Sequence, residues 1–226
     1  MTTRIDRLWP DPAEQVRDDE LVEPLDGVRM NFVSSIDGAA TRDGLSGALG
    51  GPADHRLFEL LRRAADVVMV GAGTVRAEGY GPVRVGTDPQ PVFAIVTARL
   101  ELDPASPIFT KAPVRPVILT TERATGKAAF AEVADVVVAG SSRVDGRLAV
   151  DALHARGLRR ILCEGGPSLF GSLLASDVVD ELCLTVSPSL EAGDARRITH
   201  GEAVPRDMSL VSVHRSGSAL LLRYAR

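Results

Sequence analysis

The sequence contains few cysteines, and their placement argues against the usual uses of that residue. Only two occur in 226 residues, Cys163 and Cys183, and both lie in apolar runs typical of strands. Neither belongs to a Cys-x-x-Cys or Cys/His spacing, which argues against a zinc site. We interpret both as small core residues and not as a disulfide, and we expect no metal.

Long hydrophobic runs and an excess of positive charge are also lacking. No stretch approaches the ~20 apolar residues of a membrane span, and the N-terminus lacks the apolar region of a signal peptide. The formal net charge is −4, and no basic stripe is interleaved with the aromatic residues, which make up only 4%. We therefore expect a cytoplasmic enzyme or binding protein that has neither a membrane nor a nucleic acid as partner.

Short apolar runs separated by turns are plentiful. Several have neighbouring apolar positions, as strands covered on both faces require. Six runs predict strands, over 28–33, 66–71, 92–97, 116–120, 135–139 and 160–164. Apolar faces with helical spacing predict helices over 54–65, 147–156 and 167–175. This alternation predicts one α/β domain over residues 28–226.

The two ends of the chain follow other patterns. Near the C-terminus, 180–188, 208–214 and 218–225 predict antiparallel strands, the last two joined as a hairpin. Residues 1–27 are rich in Pro, Asp and Glu without periodicity, so we expect a surface arm. Its single tryptophan, Trp9, is expected to dock on its own domain or on a partner subunit.

Two polar or glycine-rich segments follow predicted strands, where α/β sheets bind their ligands. The first is NFVSSIDGAATRDGLSGALGG, residues 31–51. The second is VGAGTVRAEGYGP, residues 70–82, which begins like a dinucleotide fingerprint but has Arg76 in place of the third small residue. An ordinary Rossmann site is therefore not predicted. The sequence of residues 79–91 predicts a loop near the entrance of the site.

A third segment, CEGGPSL, leads from a predicted strand into a predicted helix. Glu164 ends the strand, and Gly165 and Gly166 leave backbone N–H groups free to face a phosphate or another piece of backbone. Pro167 then begins the helix, whose positive dipole end points to the same place. Both interpretations of the paired glycines stay open at this point.

In this order the three segments resemble the pyrimidine reductase family of riboflavin biosynthesis. The resemblance rests on S-x-D-G at 35–38, LLR and the following strand at 60–70, G-x-G-T-V-R-A-E at 71–78 and EGGPSL at 164–169. It implies a dihydrofolate-reductase-like, three-layer αβα domain with a mixed, mostly parallel sheet and a C-terminal antiparallel hairpin. It also implies NADPH as cofactor, a small heterocyclic substrate and a homodimer.

The segments and the resemblance together assign the candidate site residues. Asp37 and Glu164 are the catalytic candidates. The candidates for the cofactor are Gly71, Gly73, Thr74, Glu78, Gly165, Gly166, Pro167, Ser168, Leu169 and Phe170. The candidates for the substrate are Asn31, Ser35, Ser46, Arg62, Arg84 and Glu164. Thr97 and Arg99 are added from the residues alone, since a charge-assisted contact suits the 2′-phosphate of NADPH.

The function implied by the resemblance is NADPH-dependent reduction of a 5-amino-6-(5-phosphoribosylamino)uracil-type substrate, from ribosyl to ribityl. Two alternatives stay open. Because the loops after Ser46 and Glu78 depart from the family pattern, the substrate could be dihydrofolate or another pterin. The second alternative is a non-catalytic regulatory protein that binds NADPH. Many relatives carry a zinc deaminase half with H-x-E and P-C-x-x-C, which this sequence lacks, so we expect the reductase half at most.

Overall fold

The computed structural model describes residues 3–86 and 88–226, which form one sheet with helices on both faces. The strands are β1 Asp6–Trp9, β2 Gly27–Ser35, β3 Val67–Gly71, β4 Val92–Val96, β5 Val117–Thr120, β6 Asp135–Val138, β7 Arg160–Cys163, β8 Glu181–Ser187, β9 Ser209–Ser216 and β10 Ala219–Ala225. The helices are α1 Asp18–Leu21, α2 Pro52–Ala64, α3 Ala72–Ala77, α4 Pro107–Thr110, α5 Gly146–His154 and α6 Pro167–Ala175, with a short 3₁₀ helix over Lys127–Phe130.

The sheet is mixed and mostly parallel, as predicted. Its strand order is β1-β9-β10-β8-β2-β7-β3-β4-β5-β6. Neighbours from β8 through to β6 are parallel, whereas β8, β10, β9 and β1 pair in antiparallel fashion. The predicted C-terminal hairpin is the β9–β10 pair, which turns at Gly217 with a positive φ of 59°.

Strand β3 shows why the sequence forms a three-layer domain. Val68 and Val70 belong to the core under α2, whereas Val67 and Met69 belong to the core under α5 and α6. All four side chains are fully buried. Successive side chains of a strand point to opposite faces, so an uninterrupted apolar run needs a helical layer on each side.

The N-terminal segment contributes to the sheet. Strand β1 pairs with β9 at the sheet edge, Ile5 is fully buried, and Val16 and Leu21 pack into the core under α2. A four-residue strand is too short for its alternation to stand out in the sequence. Trp9 remains 52% exposed, so its docking stays a prediction, as does the boundary between an arm and a domain at residue 27. Residues 1 and 2 of that arm lie outside the described residues.

The parallel strands also fix where a ligand can bind. Since β2, β3, β4 and β7 run in the same direction, their carboxyl ends share one edge of the sheet. The three segments singled out in the sequence leave the sheet at that edge. Within the described part of the chain, no helix combines the length and the apolar character needed to cross a bilayer.

Candidate active site

A cavity of about 780 Å³ opens at the carboxyl edge of β2, β3 and β7. This volume lies within the usual range of ligand pockets. Its wall includes ten of the residues predicted from the sequence, namely Asn31, Ser46, Arg62, Gly73, Thr74, Glu78, Glu164, Gly165, Gly166 and Pro167. The three segments therefore meet at one site. Tyr80, Gly81 and Pro82 of the predicted 79–91 loop also line it, while residue 87 of that loop lies outside the described residues.

The paired glycines allow one backbone segment to approach another. The N–H of Gly71 donates a hydrogen bond to the carbonyl oxygen of Gly165 over 2.7 Å, which ties the turn after β3 to the turn after β7. A Cβ on Gly166 would overlap the hydroxyl oxygen of Thr74, and Gly165 has a φ of +121°. The peptide bond between the two glycines is cis. Their other side faces the cavity, so the packing and ligand interpretations are compatible.

Helix α6 begins directly after this turn. The Phe170 N–H donates to the Gly166 carbonyl, whereas the N–H groups of Ser168 and Leu169 belong to the first turn and have no intrahelical acceptor. The side chain of Phe170 is only 3% exposed and stacks on Phe32, with ring centroids 5.0 Å apart. Phe170 thus fixes the helix against the core, and any cofactor contact it makes would come from its backbone.

Glu164 and Arg62 form a buried ion pair in the cavity wall. Arg62 Nε and Nη2 donate to the two Glu164 carboxylate oxygens over 2.6 and 2.7 Å, and the Tyr80 hydroxyl donates to Oε2 over 3.0 Å. The Glu164 side chain is 1% exposed, and the Arg62 guanidinium lies 4.1 Å from the centre of the Phe58 ring. Burial lowers the pKa of Arg62, but the hydrogen bond and charge of Glu164 outweigh it, and the net pKa is raised.

This pairing bears on the predicted roles of both residues. The guanidinium and the carboxylate satisfy each other, so a contact with substrate would add to that pair or rearrange it; both roles stay predictions. Tyr80 completes the cluster and was missed in the sequence, where it stands alone in a Gly- and Pro-rich loop. Burial, and then the charge of Glu164, raise the pKa of Tyr80, so its hydroxyl stays protonated.

Asp37 organises a loop outside the cavity wall. The Ser35 hydroxyl donates to its carboxylate over 2.5 Å, and the backbone N–H groups of Glu191 and Ala192 donate to it as well. These bonds, the Ser35 bond most of all, lower the pKa of Asp37 to about 2. Such a carboxylate is anionic near neutral pH, so its geometry suits loop positioning more than proton donation. Its catalytic role and the substrate role of Ser35 stay predictions.

We expect Asp37→Asn to lose stability only where the wild-type carboxylate is ionised. The folded-state pKa lies below the ordinary value of 3.8, so the stabilisation is present above pH ~4 and disappears as the pH falls toward 2. Thermal unfolding across that range should show a difference between variant and wild type that shrinks on acidification. Asp43→Asn in the same loop is the control, and a difference that is independent of pH would contradict this account.

A second contact joins the first segment to the second. The Ser46 N–H donates to Glu78 Oε1 over 2.8 Å, and both residues line the cavity. Glu78 caps the end of α3, so this bond fixes the loop after β2 against that helix. The predicted substrate residue Ser46 and the predicted cofactor residue Glu78 therefore lie side by side in the cavity wall.

The remaining predicted residues lie outside the cavity wall. Arg84 donates to the carbonyl oxygen of Lys111 over 2.7 Å. Thr97 is buried, and its hydroxyl accepts from the N–H of Leu100. The Arg99 side chain is 83% exposed and lies 3.6 Å from Glu101. Gly71, Ser168 and Leu169 also do not line the cavity. The roles assigned to all six residues stay predictions.

Asp54 is a further acidic residue of the cavity wall. It stands at the start of a helix predicted from the sequence, where its neighbours give no sign of a cavity. Across residues 3–86 and 88–226, no group of three His, Cys, Asp or Glu side chains is placed to hold a metal ion.

Comparison with known proteins decides the family. The model of the RibD C-terminal domain matches residues 27–222. The chain belongs to the RibD C-terminal domain family. A curated relative, the 2,5-diamino-6-ribosylamino-4(3H)-pyrimidinone 5′-phosphate reductase of Methanothermobacter thermautotrophicus, is 34% identical over 185 residues, which cover 78% of this chain and 85% of the relative. The resemblance inferred from the sequence is confirmed.

Solved structures agree with this membership of the RibD C-terminal domain family. A pyrimidine reductase-like protein from Corynebacterium diphtheriae superposes with a TM-score of 0.79 at 28% identity, covering 93% of this chain and 94% of that one. The riboflavin biosynthesis reductase of Saccharomyces cerevisiae shares the fold with a TM-score of 0.69 at 20% identity, covering 90% and 92%. The expected dihydrofolate-reductase-like αβα fold is confirmed. The chain is an oxidoreductase, and its membership of a family of reductases implies a nicotinamide cofactor.

Proposed function

We propose that this protein is an NADPH-dependent reductase that converts the ribosyl group of a phosphoribosylamino-pyrimidine into ribityl in riboflavin biosynthesis. The observation that carries the proposal is the single cavity in which all three family segments meet. Two relatives, of 34% and 27% identity, are named for a pyrimidinone 5′-phosphate. These relatives do not favour the pterin reductase or the regulatory alternative.

The residues of the cavity wall fit a nicotinamide dinucleotide. Gly165 and Gly166 expose backbone at the start of α6, where N–H groups and the helix dipole favour a phosphate. When bound, the cofactor supplies a hydride. Thr97 and Arg99 follow β4 at the same edge of the sheet, and the exposed guanidinium of Arg99 is our candidate for the 2′-phosphate of NADPH.

Asn31 supports a polar heterocycle as the second ligand. Its side-chain oxygen is buried, and no hydrogen-bond partner for it exists among the described residues, although the residue lines the cavity. An unpaired buried acceptor costs about 1–3 kcal/mol, so a ligand N–H or amino group that pairs with it recovers this energy. Amino-substituted pyrimidines carry such donors.

The proposed function is tested by the loss of reduced-nicotinamide absorbance with purified protein. We expect turnover of a phosphoribosylamino-pyrimidine with NADPH, slower turnover with NADH, and none with dihydrofolate. Supplying the 2,5-diamino-pyrimidinone and the uracil forms side by side determines which ring is preferred. Tight NADPH binding without turnover of any heterocycle would support the regulatory alternative and contradict this proposal.

We also propose a homodimer formed through the C-terminal strands. Strands β8 and β10 carry half-buried apolar side chains that face one another in register, with Leu220 opposite Val186, Leu222 opposite Leu184 and Tyr224 opposite Leu182. A second copy would cover this face. Light scattering coupled to gel filtration should give about twice the chain mass of 24.0 kDa. A cytoplasmic location stays a prediction.

A further inference from the structure

The proposed reduction needs a proton as well as a hydride. When a ribosyl group becomes ribityl, the bond between C1′ and the ring oxygen breaks, and its electron pair stays on oxygen. A hydride adds to C1′, and the ring oxygen takes up a proton to become a hydroxyl group. An acid placed at the cavity would supply that proton. The inference below rests on the proposed function.

Most carboxylates near the cavity are already engaged or exposed. Glu164 is held by Arg62 and Tyr80, and Glu78 accepts the Ser46 N–H. Asp194 lies on an exposed loop. Asp37, with its lowered pKa, lies outside the cavity wall. None of these combines a buried place in the cavity wall with a carboxyl group that is free of the partners just named.

Asp54 differs from them in its surroundings. It lies in the first turn of α2, lines the cavity and makes no ion pair with an Arg or Lys of the described residues. The backbone of Gly50 covers it closely, since a Cβ built on Gly50 would lie 2.6 Å from Asp54 Oδ2. We propose that Asp54 is the proton donor for the sugar ring oxygen, and that it is recharged from solvent after each turnover.

The charges around Asp54 are consistent with that role. Burial raises the pKa of Asp54, and the nearby hydroxyl group of Thr185 on β8 and the charge of His55 oppose this only in part. Thr185 is uncharged, so the element packed across from Asp54 contributes no countercharge. The titratable groups on the rest of the cavity wall are Arg62, Glu78, Tyr80, Glu164, Asp194 and Arg196. Arg62 is neutralised by Glu164, so it does not hold Asp54 in its ionised form.

The test is Asp54→Asn, which keeps the shape of the side chain and removes its acidity. We expect kcat for the pyrimidine to fall about 100-fold or more, as for the loss of a general acid, with the Kd of NADPH changed less than twofold. The decline of kcat/KM with rising pH should be absent in the variant, and Asp54→Glu should recover part of the rate. Glu59→Gln, on the exposed side of α2, is the matched control.

A readout independent of turnover is the infrared carbonyl band of a protonated carboxylic acid. It should be present in the wild type at mildly acidic pH and absent in Asp54→Asn. Thermal unfolding shows that each variant is folded, and Asp54→Ser serves if the Asn variant is not. An active wild type whose Asn and Ser variants keep kcat within threefold, or keep the alkaline decline, would overturn the assignment. A wild type that turns over no pyrimidine would overturn the proposed function, and this inference with it.

Discussion

Glu164→Gln should lower the free energy of unfolding by about 3 kcal/mol, near the lower end of the range for breaking a buried ion pair. The substitution leaves the Arg62 guanidinium in the wall without a countercharge, and Tyr80 loses its charged acceptor. We expect the lower end because Arg62 borders the cavity, where water can solvate it in part. Pyrimidine turnover should fall as well, since the pair fixes one wall of the site.

Urea denaturation of three variants separates the ion pair from simple loss of charge. Glu59→Gln removes an exposed carboxylate 3.5 Å from Arg63 on the same helix and should cost less than about 0.5 kcal/mol. The double variant Arg62→Met with Glu164→Gln should regain at least half of the lost stability, because no unpaired charge remains. Equal effects of Glu164→Gln and Glu59→Gln would contradict a buried, coupled pair.

The sheet could be predicted because its strands are buried on both faces. The apolar residues within 66–71 mark such a strand without reference to the rest of the chain, and the strand is observed over Val67–Gly71. The helix predicted over 167–175 has the same bounds in the structure, since Pro167 fixes its start. Strand β1 was missed because its partner is 209 residues away, Asp6 pairing with Arg215, and four residues carry too little pattern.

The position of the site was predictable, whereas its internal contacts were not. Parallel strands bring their carboxyl ends to one edge of the sheet, so three polar segments that follow such strands predict one cavity at that edge. The pairing of Arg62 with Glu164 spans 102 residues and depends on how α2 lies across the sheet. Asp54 and Tyr80 were missed for the same reason, because burial of a polar side chain is set by the packing of distant segments. The residue types were enough to identify the three segments. Only the tertiary structure shows which side chains of those segments contact each other.

Gly166→Ala is expected to weaken NADPH binding about tenfold and to lower the free energy of unfolding by about 1–3 kcal/mol, the usual cost of overpacking. The backbone of Gly166 has a φ of −88° and a ψ of −173°, which alanine adopts readily, so the cost arises from the added methyl group. That methyl group would overlap the Thr74 hydroxyl and push apart the turns after β3 and β7. The start of α6 would then move away from the phosphate position we propose.

A second substitution tells packing apart from cofactor contact. Thr74→Ala removes the hydroxyl, so the double variant with Gly166→Ala should regain most of the lost stability. If Thr74 and the glycine amides also bind the cofactor, the Kd of NADPH measured by calorimetry should stay raised in that double variant. Gly51→Ala, where an added Cβ meets nothing within 4 Å, is the control for the change of residue type. Recovery of affinity together with stability would mean that the paired glycines serve backbone packing alone, and the phosphate would then have to bind elsewhere along the sheet edge.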